Sequence, residues 1–201
     1  MSHYYQYDPK LKSNKKLVTY TFKEELVKLN SDNGVFSKER VDFGTNVLLS
    51  SLDDKYLTDV KTILDVGCGY GIIGVSLSKK YNDKKVTMID VNPKCIELVK
   101  ENIKLNDLKN ADCFLSDLYS EVSDKFDMII SNPPIRAGKE VVFGVVVDGY
   151  NHLNKGGIIV LVIQKKQGAP SLKEKMQEVF GNCDVIAKDK GYFILKSERN
   201  N

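Results

Sequence analysis

The chain has 201 residues, of which 42% are hydrophobic and 28% charged, and its net charge is +3. That length fits one domain, or one domain with a short extension, and the composition excludes a disordered chain. The longest apolar runs, such as Gly157 to Ile163, fall far short of the ~20 residues of a membrane span, and residues 1–10 hold no apolar h-region of a secretory signal.

Residues 1–40 hold eight Lys or Arg against five acids, and the remainder is balanced. The basic excess therefore sits in a segment that also carries Tyr4, Tyr5, Tyr7 and Tyr20. Basic residues interleaved with tyrosines suit a nucleic-acid backbone with stackable bases. A solvated arm packed by its own tyrosines is the other reading. A helix ends at Ser50, and residues 50–54 read as a linker. Residues 1–50 are thus expected to form an N-terminal extension, and 51–201 the main domain.

From Lys61 the pattern alternates. KTILDVGCG is a β-branched run ending in glycines, so a strand and a turn. Gly71 to Tyr81 carries apolar residues at helical spacing. KKVTMIDV is a second strand, after which Asn92 and Pro93 stand as N-cap and first residue of a helix to about Asn106. ADCFLSD and KFDMIISNPP read as strands three and four. Lys139 to Leu153 reads as a helix, ended by a loop at Asn154–Gly157. Its valine-rich stretch VVFGVVVDGY suggests a buried helix or an association face. GIIVLVIQKK is strand five, Ser171 is expected to cap a helix through Phe180, and DVIAKDKGYFILKSE reads as a hairpin. The expected fold is α/β: a doubly wound, mostly parallel seven-stranded sheet of Rossmann type with a C-terminal antiparallel hairpin. Four scattered cysteines (Cys68, Cys95, Cys113, Cys183) form no CxxC, so neither zinc nor a disulfide framework is expected and a reducing cytoplasm is.

Ligands of such sheets lie beyond the carboxyl ends of the strands. Those ends hold Asp65 to Gly71, Asp90, Asp117, and Asn132 to Pro134. Gly67, Gly69 and Gly71 allow a tight turn and close backbone approach ahead of a helix N-terminus. Residues 69–74 match GxGxxG, and Asp90 stands where a carboxylate grips a ribose diol. A dinucleotide and S-adenosylmethionine both satisfy that pattern. Asp65, two residues before the first glycine, suits a cationic amino-acid group better than a pyrophosphate. SNPPIR (131–136) adds a proline-fixed turn that presents carbonyl acceptors beside the Asn132 amide, which suits a planar NH2 group.

DVGCGYG (65–71), the acid at the second strand end and SNPPIR resemble the class I S-adenosylmethionine-dependent methyltransferases, and NPP resembles their amino-methylating branch. GVFSKERVDFGTNVLL (34–49) and NPPIRAGK (132–139) narrow the resemblance to the small-domain methyltransferases that modify the exocyclic N2 amine of a guanine in 16S ribosomal RNA. The resemblance implies that Asp65, Gly67, Cys68, Gly69 and Gly71 hold the methionine end of S-adenosylmethionine. It implies that Asp90 and Val91 hold the ribose, and that Asp117 and Leu118 frame the adenine. Asn132 and the Pro133 carbonyl, with Pro134, would hold the target amine as the catalytic turn. Thr45, Phe36, Arg40 and Asp42 would close the pocket, with Thr45 and Asn132 also touching the cofactor and Phe36, Arg40, Ile135 and Arg136 on the substrate side. Many NPP enzymes carry an aromatic where this chain has Ile135, so Phe36 is the expected stacking residue. Lys10 to Lys16, Lys38, Arg40 and Arg136 would contact phosphates.

The implied partner is ribosomal RNA or the small subunit, with no metal, no membrane, and a monomer or homodimer. A protein N5-glutamine methyltransferase is the main alternative; an NAD-dependent oxidoreductase and a non-catalytic RNA-binding module are weaker ones. His3 and His152 are the only histidines, and His152 falls in a helix tail where a surface position is expected, so no general base is evident.

Overall fold

The computed structural model describes residues 11–200; the expectations for Tyr4, Tyr5, Tyr7, Lys10 and His3 fall outside them. Seven strands form one sheet in the order β5-β4-β3-β6-β7-β9-β8. In chain order they are β3 (Thr62–Val66), β4 (Lys85–Asp90), β5 (Ala111–Leu115), β6 (Phe126–Ser131), β7 (Leu153–Gln164), β8 (Asp184–Asp189) and β9 (Tyr192–Glu198). β3 to β7 pair in parallel, whereas β9 runs antiparallel to both β7 and β8. The fold is the doubly wound Rossmann-like sheet with a C-terminal hairpin.

The sheet alternates between two cores with a period of two. Ile63, Met128, Ile130 and Val160 face the side covered by α1 (Phe43–Ser50), α2 (Ile72–Lys80) and α3 (Pro93–Leu105). Leu64, Ile129, Ile159 and Leu161 face α4 (Lys139–Asn151) and α5 (Ala169–Phe180). The valine-rich helix α4 is a sheet-covering helix: Val142, Val145 and Val146 are buried. Winding outward from β3 to β5 and back through β6 reverses the strand order between β3 and β6. That switch point opens a crevice between their carboxyl ends, Val66 and Ser131.

Three expectations need correction. Residues before α1 are not an arm alone: β1 (Lys16–Phe22) and β2 (Glu25–Ser31) form an antiparallel hairpin. Its inward residues Val18, Phe22, Val27 and Leu29 are buried in the same core as α2 and α3. The turn residues Lys23 and Glu24 both have positive φ, 45° and 74°. Neither is Gly, Asn or Asp, so the turn carries no sequence signal. Ser171 does not cap α5; the helix starts at Ala169 and its N-cap is Gly168, with φ 110°. Asn154–Gly157 is not a free loop, because β7 begins at Leu153. There Gly156 N donates to Arg199 O at 2.7 Å, and Arg199 N donates to Gly157 O at 2.9 Å.

Gly74, last glycine of the GxGxxG match, sets how closely α2 lies on the sheet. A Cβ there would stand 2.3 Å from Cγ of Met88 on β4, and Met88 is fully buried. Gly74→Ala is expected to destabilise the protein by about 1–3 kcal/mol through overpacking, read as a lower urea midpoint at unchanged slope.

Candidate active site

The glycine loop turns because three residues adopt positive φ: Gly67 at 69°, Gly69 at 57° and Gly71 at 92°. Gly67 N and Cys68 N both donate to Ile89 O, at 2.9 and 3.0 Å, which binds the loop to the end of β4. Gly71 is the N-cap of α2 and has no side chain to fill that position. The first-turn N–H groups of α2 therefore lie directly behind the loop. Across the crevice stands the turn after β6. A Cβ on Gly67 would meet Pro134 Cδ at 3.8 Å, so loop and turn are in van der Waals range.

Between them lies a cleft of about 300 Å³. Its wall brings together Gly67, Cys68, Gly69, Asp90, Val91, Asp117, Leu118, Thr45, Phe36, Asn132, Pro133, Pro134, Ile135 and Arg136. The volume lies at the lower end of small-molecule sites, ~300–1,000 Å³. Phe36 is 43% exposed and stands at the mouth.

Asn132 is held from one side of the cleft by the N-terminus of α1. Its Nδ2 donates to Thr45 Oγ1 at 2.9 Å and lies 3.3 Å from each Asp42 carboxylate oxygen. Asp42 also N-caps α1, accepting from Thr45 N at 3.1 Å. The N-terminus of α1 thus takes both amide hydrogens and turns Asn132 Oδ1 into the acceptor left for a ligand. The Pro133 carbonyl already accepts from Ile135 N at 2.9 Å, which leaves it one lone pair for a second donor. On the opposite wall, Asp90 Oδ2 accepts from Gly69 N and Oδ1 from Asn92 N, each at 2.9 Å. Burial pushes the Asp90 carboxyl above its usual range, against the opposing pull of these bonds.

Three expected residues are not on the cleft wall. Asp65 belongs to β3, and the pleat turns it with Ile63 toward α2 rather than into the glycine loop. It is fully buried, with Oδ2 accepting from Gly74 N at 3.0 Å and Oδ1 unpartnered among the described residues. Gly71 is buried beneath the wall, its virtual Cβ 3.1 Å from Val99 Cγ2, and acts only by turning the chain into α2. Arg40 lies outside, lining a neighbouring surface groove with Leu11, Asn33 and Lys38. Sequence reasoning missed Tyr70, Ser116, Gln167 and Tyr192, which do line the cleft. Tyr192 packs on Phe43 with ring centroids 5.5 Å apart. His152 is occupied elsewhere, stacked on Tyr119 with its ring nitrogens on Asp148 O and Val122 O. Among the described residues no cluster of His, Cys, Asp or Glu could hold a metal, and no helix is long and apolar enough to cross a membrane.

Burial raises the Asp65 carboxyl to about 7, against ~3.9 for a free aspartate. Between those values the folded chain keeps a proton that the unfolded chain releases. Stability therefore falls as pH rises from about 4 to about 7, by on the order of 3–4 kcal/mol. Urea unfolding at pH 5 and pH 8 should show about 2–3 kcal/mol of this drop, and Asp65→Asn should flatten it.

The comparisons with known proteins agree with this architecture. A protein of Bacillus subtilis described as uncharacterized protein YbxB is 44% identical over 199 residues, covering 98% of both chains. The Ribosomal RNA small subunit methyltransferase C of Haemophilus influenzae is 33% identical over 171 residues, 83% of this chain and 49% of that protein. The chain thus spans nearly the whole of the first relative and about half of the second. Among solved structures, the T. thermophilus 16S rRNA N2 methyltransferase RsmC, in complex with AdoMet and guanosine, superposes with a TM-score of 0.83 at 24% identity. That match covers 95% of this chain and 52% of that one. A ribosomal protein L11 methylase from Lactobacillus delbrueckii shares the fold at TM-score 0.67 and 22% identity. The family described as methyltransferase small domain matches residues 26–196, from within the N-terminal hairpin to the last strand. With its glycine loop facing an Asn-Pro-Pro turn across a Rossmann-like switch point, the chain belongs to that methyltransferase small domain family.

Proposed function

We propose that this methyltransferase takes S-adenosylmethionine and methylates the exocyclic N2 amine of a guanine in small-subunit ribosomal RNA. The observation that carries the reading is the Asn132 amide, whose Nδ2 is engaged by Thr45 and Asp42, which leaves Oδ1 as the acceptor available to a ligand. Two further supports are the family match and the names of relatives that cover most of this chain.

The cleft fits the cofactor in its donor set. The first-turn N–H groups of α2, where Ile72 and Ile73 line the cleft, suit its carboxylate, Asp90 suits a ribose diol, and the apolar Val91 and Leu118 suit a flat adenine. S-adenosylmethionine supplies an electrophilic sulfonium methyl. Asn132 Oδ1 and the free lone pair of the Pro133 carbonyl accept the two N–H bonds of the target amine. That arrangement localises the nitrogen lone pair away from the ring and aims it across the cleft toward Gly67 and Gly69. It also accommodates the positive charge that grows on nitrogen. Two fixed prolines hold these acceptors with little reorganisation, so positioning supplies much of the rate. The proton leaves to water after transfer. The base must be unstacked to enter a cleft of this size, and Tyr192 and Phe36 offer aromatic faces in place of the one lacking at Ile135.

Incubation with labelled cofactor and undermethylated small subunits tests the reading. Label should appear in RNA and digest to N2-methylguanosine. Label in nuclease-resistant protein would instead identify a side-chain amide as the acceptor and overturn it.

A further inference from the structure

Part of the N-terminal basic excess expected to grip RNA is engaged within the fold. Lys15 pairs with Glu101 at 2.6 Å and Lys16 with Glu39 at 2.8 Å, while Lys38 donates to Asn33 at 2.7 Å. A different basic surface borders the cleft. The antiparallel return of β9 places Tyr192 opposite Gln164 at the carboxyl end of β7. Lys165 N then donates to Gly191 O at 2.7 Å, stitching the turn after β7 to the β8–β9 turn. Each turn sends one residue into the cleft wall, Gln167 and Tyr192.

Outside the wall the same turns expose Lys165, Lys166 and Lys190, and the end of β8 exposes Lys188. Among the described residues no carboxylate lies within 4.0 Å of any of these ammonium groups. The one acid in the turns, Asp189, leaves them a net +3, equal to that of the entire chain. Lys190 sits over the Phe43 ring at 5.1 Å, on the face of the hairpin that carries Tyr192, whereas Lys188 sits over Phe193 at 4.9 Å on the opposite face, at the outer edge of this surface. Arg136, exposed on the same cleft, continues the basic rim toward the Asn-Pro-Pro turn.

We infer that the ledge formed by residues 165–167 and 188–192 is the RNA-docking surface, its lysines taking the phosphates that flank the base seated against Tyr192 and Gln167. This rests on the ribosomal RNA reading above. A flipped nucleotide leaves its own phosphates at the rim of the pocket, and unpaired cations continuous with the wall meet them there. Cations already paired with carboxylates release fewer counterions on binding and contribute less.

The test compares two charge-reversed proteins with the wild type. One carries Lys165→Glu, Lys166→Glu and Lys190→Glu; the other carries Lys15→Glu and Lys16→Glu. Affinity for a small-subunit RNA fragment is measured across a salt series, and S-adenosylhomocysteine affinity and thermal midpoint are measured alongside. The ledge variant should bind RNA at least about tenfold more weakly, with the slope of log K against log salt reduced by about two to three. Its S-adenosylhomocysteine affinity should stay within about twofold. The neutral set Lys165→Gln, Lys166→Gln and Lys190→Gln should fall between it and wild type. The N-terminal variant should lose less than about threefold. An unchanged salt slope in the ledge variant, or a larger loss in the N-terminal one, overturns the inference while leaving the activity standing. Wild-type protein that neither binds nor methylates ribosomal RNA removes the parent reading, and this inference with it, before any variant is compared.

Discussion

Asn132→Ala is expected to lower turnover roughly 100-fold or more, the cost of losing one preorganised polar contact to a reacting group. Binding of S-adenosylhomocysteine should change by less than about twofold, because Asn132 is assigned to the amine and not to the cofactor. The size of the effect follows from how the amide is held. Thr45 Oγ1 and the Asp42 carboxylate take its hydrogens, at 2.9 and 3.3 Å, so the orientation of Oδ1 is set before substrate arrives. Alanine removes the acceptor and also leaves Asp42 with only its helix-capping bond to Thr45 N. Thr45→Val separates the two roles: it keeps Asn132 and the α1 backbone but removes the nearer acceptor. It should cost turnover about tenfold, with KM less affected, since a loosened amide still accepts but samples other rotamers. Single-turnover rates with saturating cofactor and RNA read both variants. If Asn132→Ala weakened cofactor binding as much as it slowed transfer, Asn132 would be a binding residue and the positioning mechanism would be wrong.

What the sequence revealed about this site depended on whether the backbone or the surroundings dictated the residue. Gly67 and Gly69 were legible because left-handed φ values select glycine, and Pro133 and Pro134 because a fixed turn selects proline. Both motifs stand at strand ends, and strand ends of a doubly wound sheet converge. Asp65 differs from its expected place because closeness to the loop in sequence is not membership of it. The strand pleat extends to Val66, so Asp65 still shares a face with Ile63 and lies under α2. Period-two alternation carried one residue further would have shown this. Tyr192 and Gln167 carry no motif, and only the register of β9 on β7 brings them to the cleft. A hairpin turn at Lys190-Gly191 following a parallel strand was the available signal, since an antiparallel return must begin where that strand ends. The N-terminal hairpin stayed hidden because Lys23 and Glu24 take positive φ without a turn-forming residue type.

Asp90→Ala should produce the reverse pattern to Asn132→Ala: a large loss of cofactor affinity with a smaller loss of turnover at saturating cofactor. The carboxylate joins two backbone donors from different elements, Gly69 N in the loop and Asn92 N ahead of α3. In the proposed complex it also accepts from a ribose hydroxyl. Hydrogen bonds to a charged group contribute about 1.5–3 kcal/mol each, so loss of the ribose contact together with the loop anchor is expected to weaken S-adenosylhomocysteine roughly 100-fold. Isothermal titration measures this directly. Asp90→Asn sharpens the test, because an amide keeps one acceptor oxygen and loses the charge. It should recover part of the loop anchor and bind the cofactor with intermediate affinity. Burial already pushes the Asp90 carboxyl upward, so the folded protein carries part of the cost of a charged group there without ligand. Asp90→Asn should therefore leave the thermal midpoint of the free protein nearly unchanged, whereas Asp90→Ala, which strands the Gly69 and Asn92 donors, should lower it and abolish most of the stabilisation that added S-adenosylhomocysteine gives the wild type. Equal ligand-induced stabilisation of wild type and Asp90→Ala would place the ribose elsewhere and undo the assignment of this wall to the cofactor.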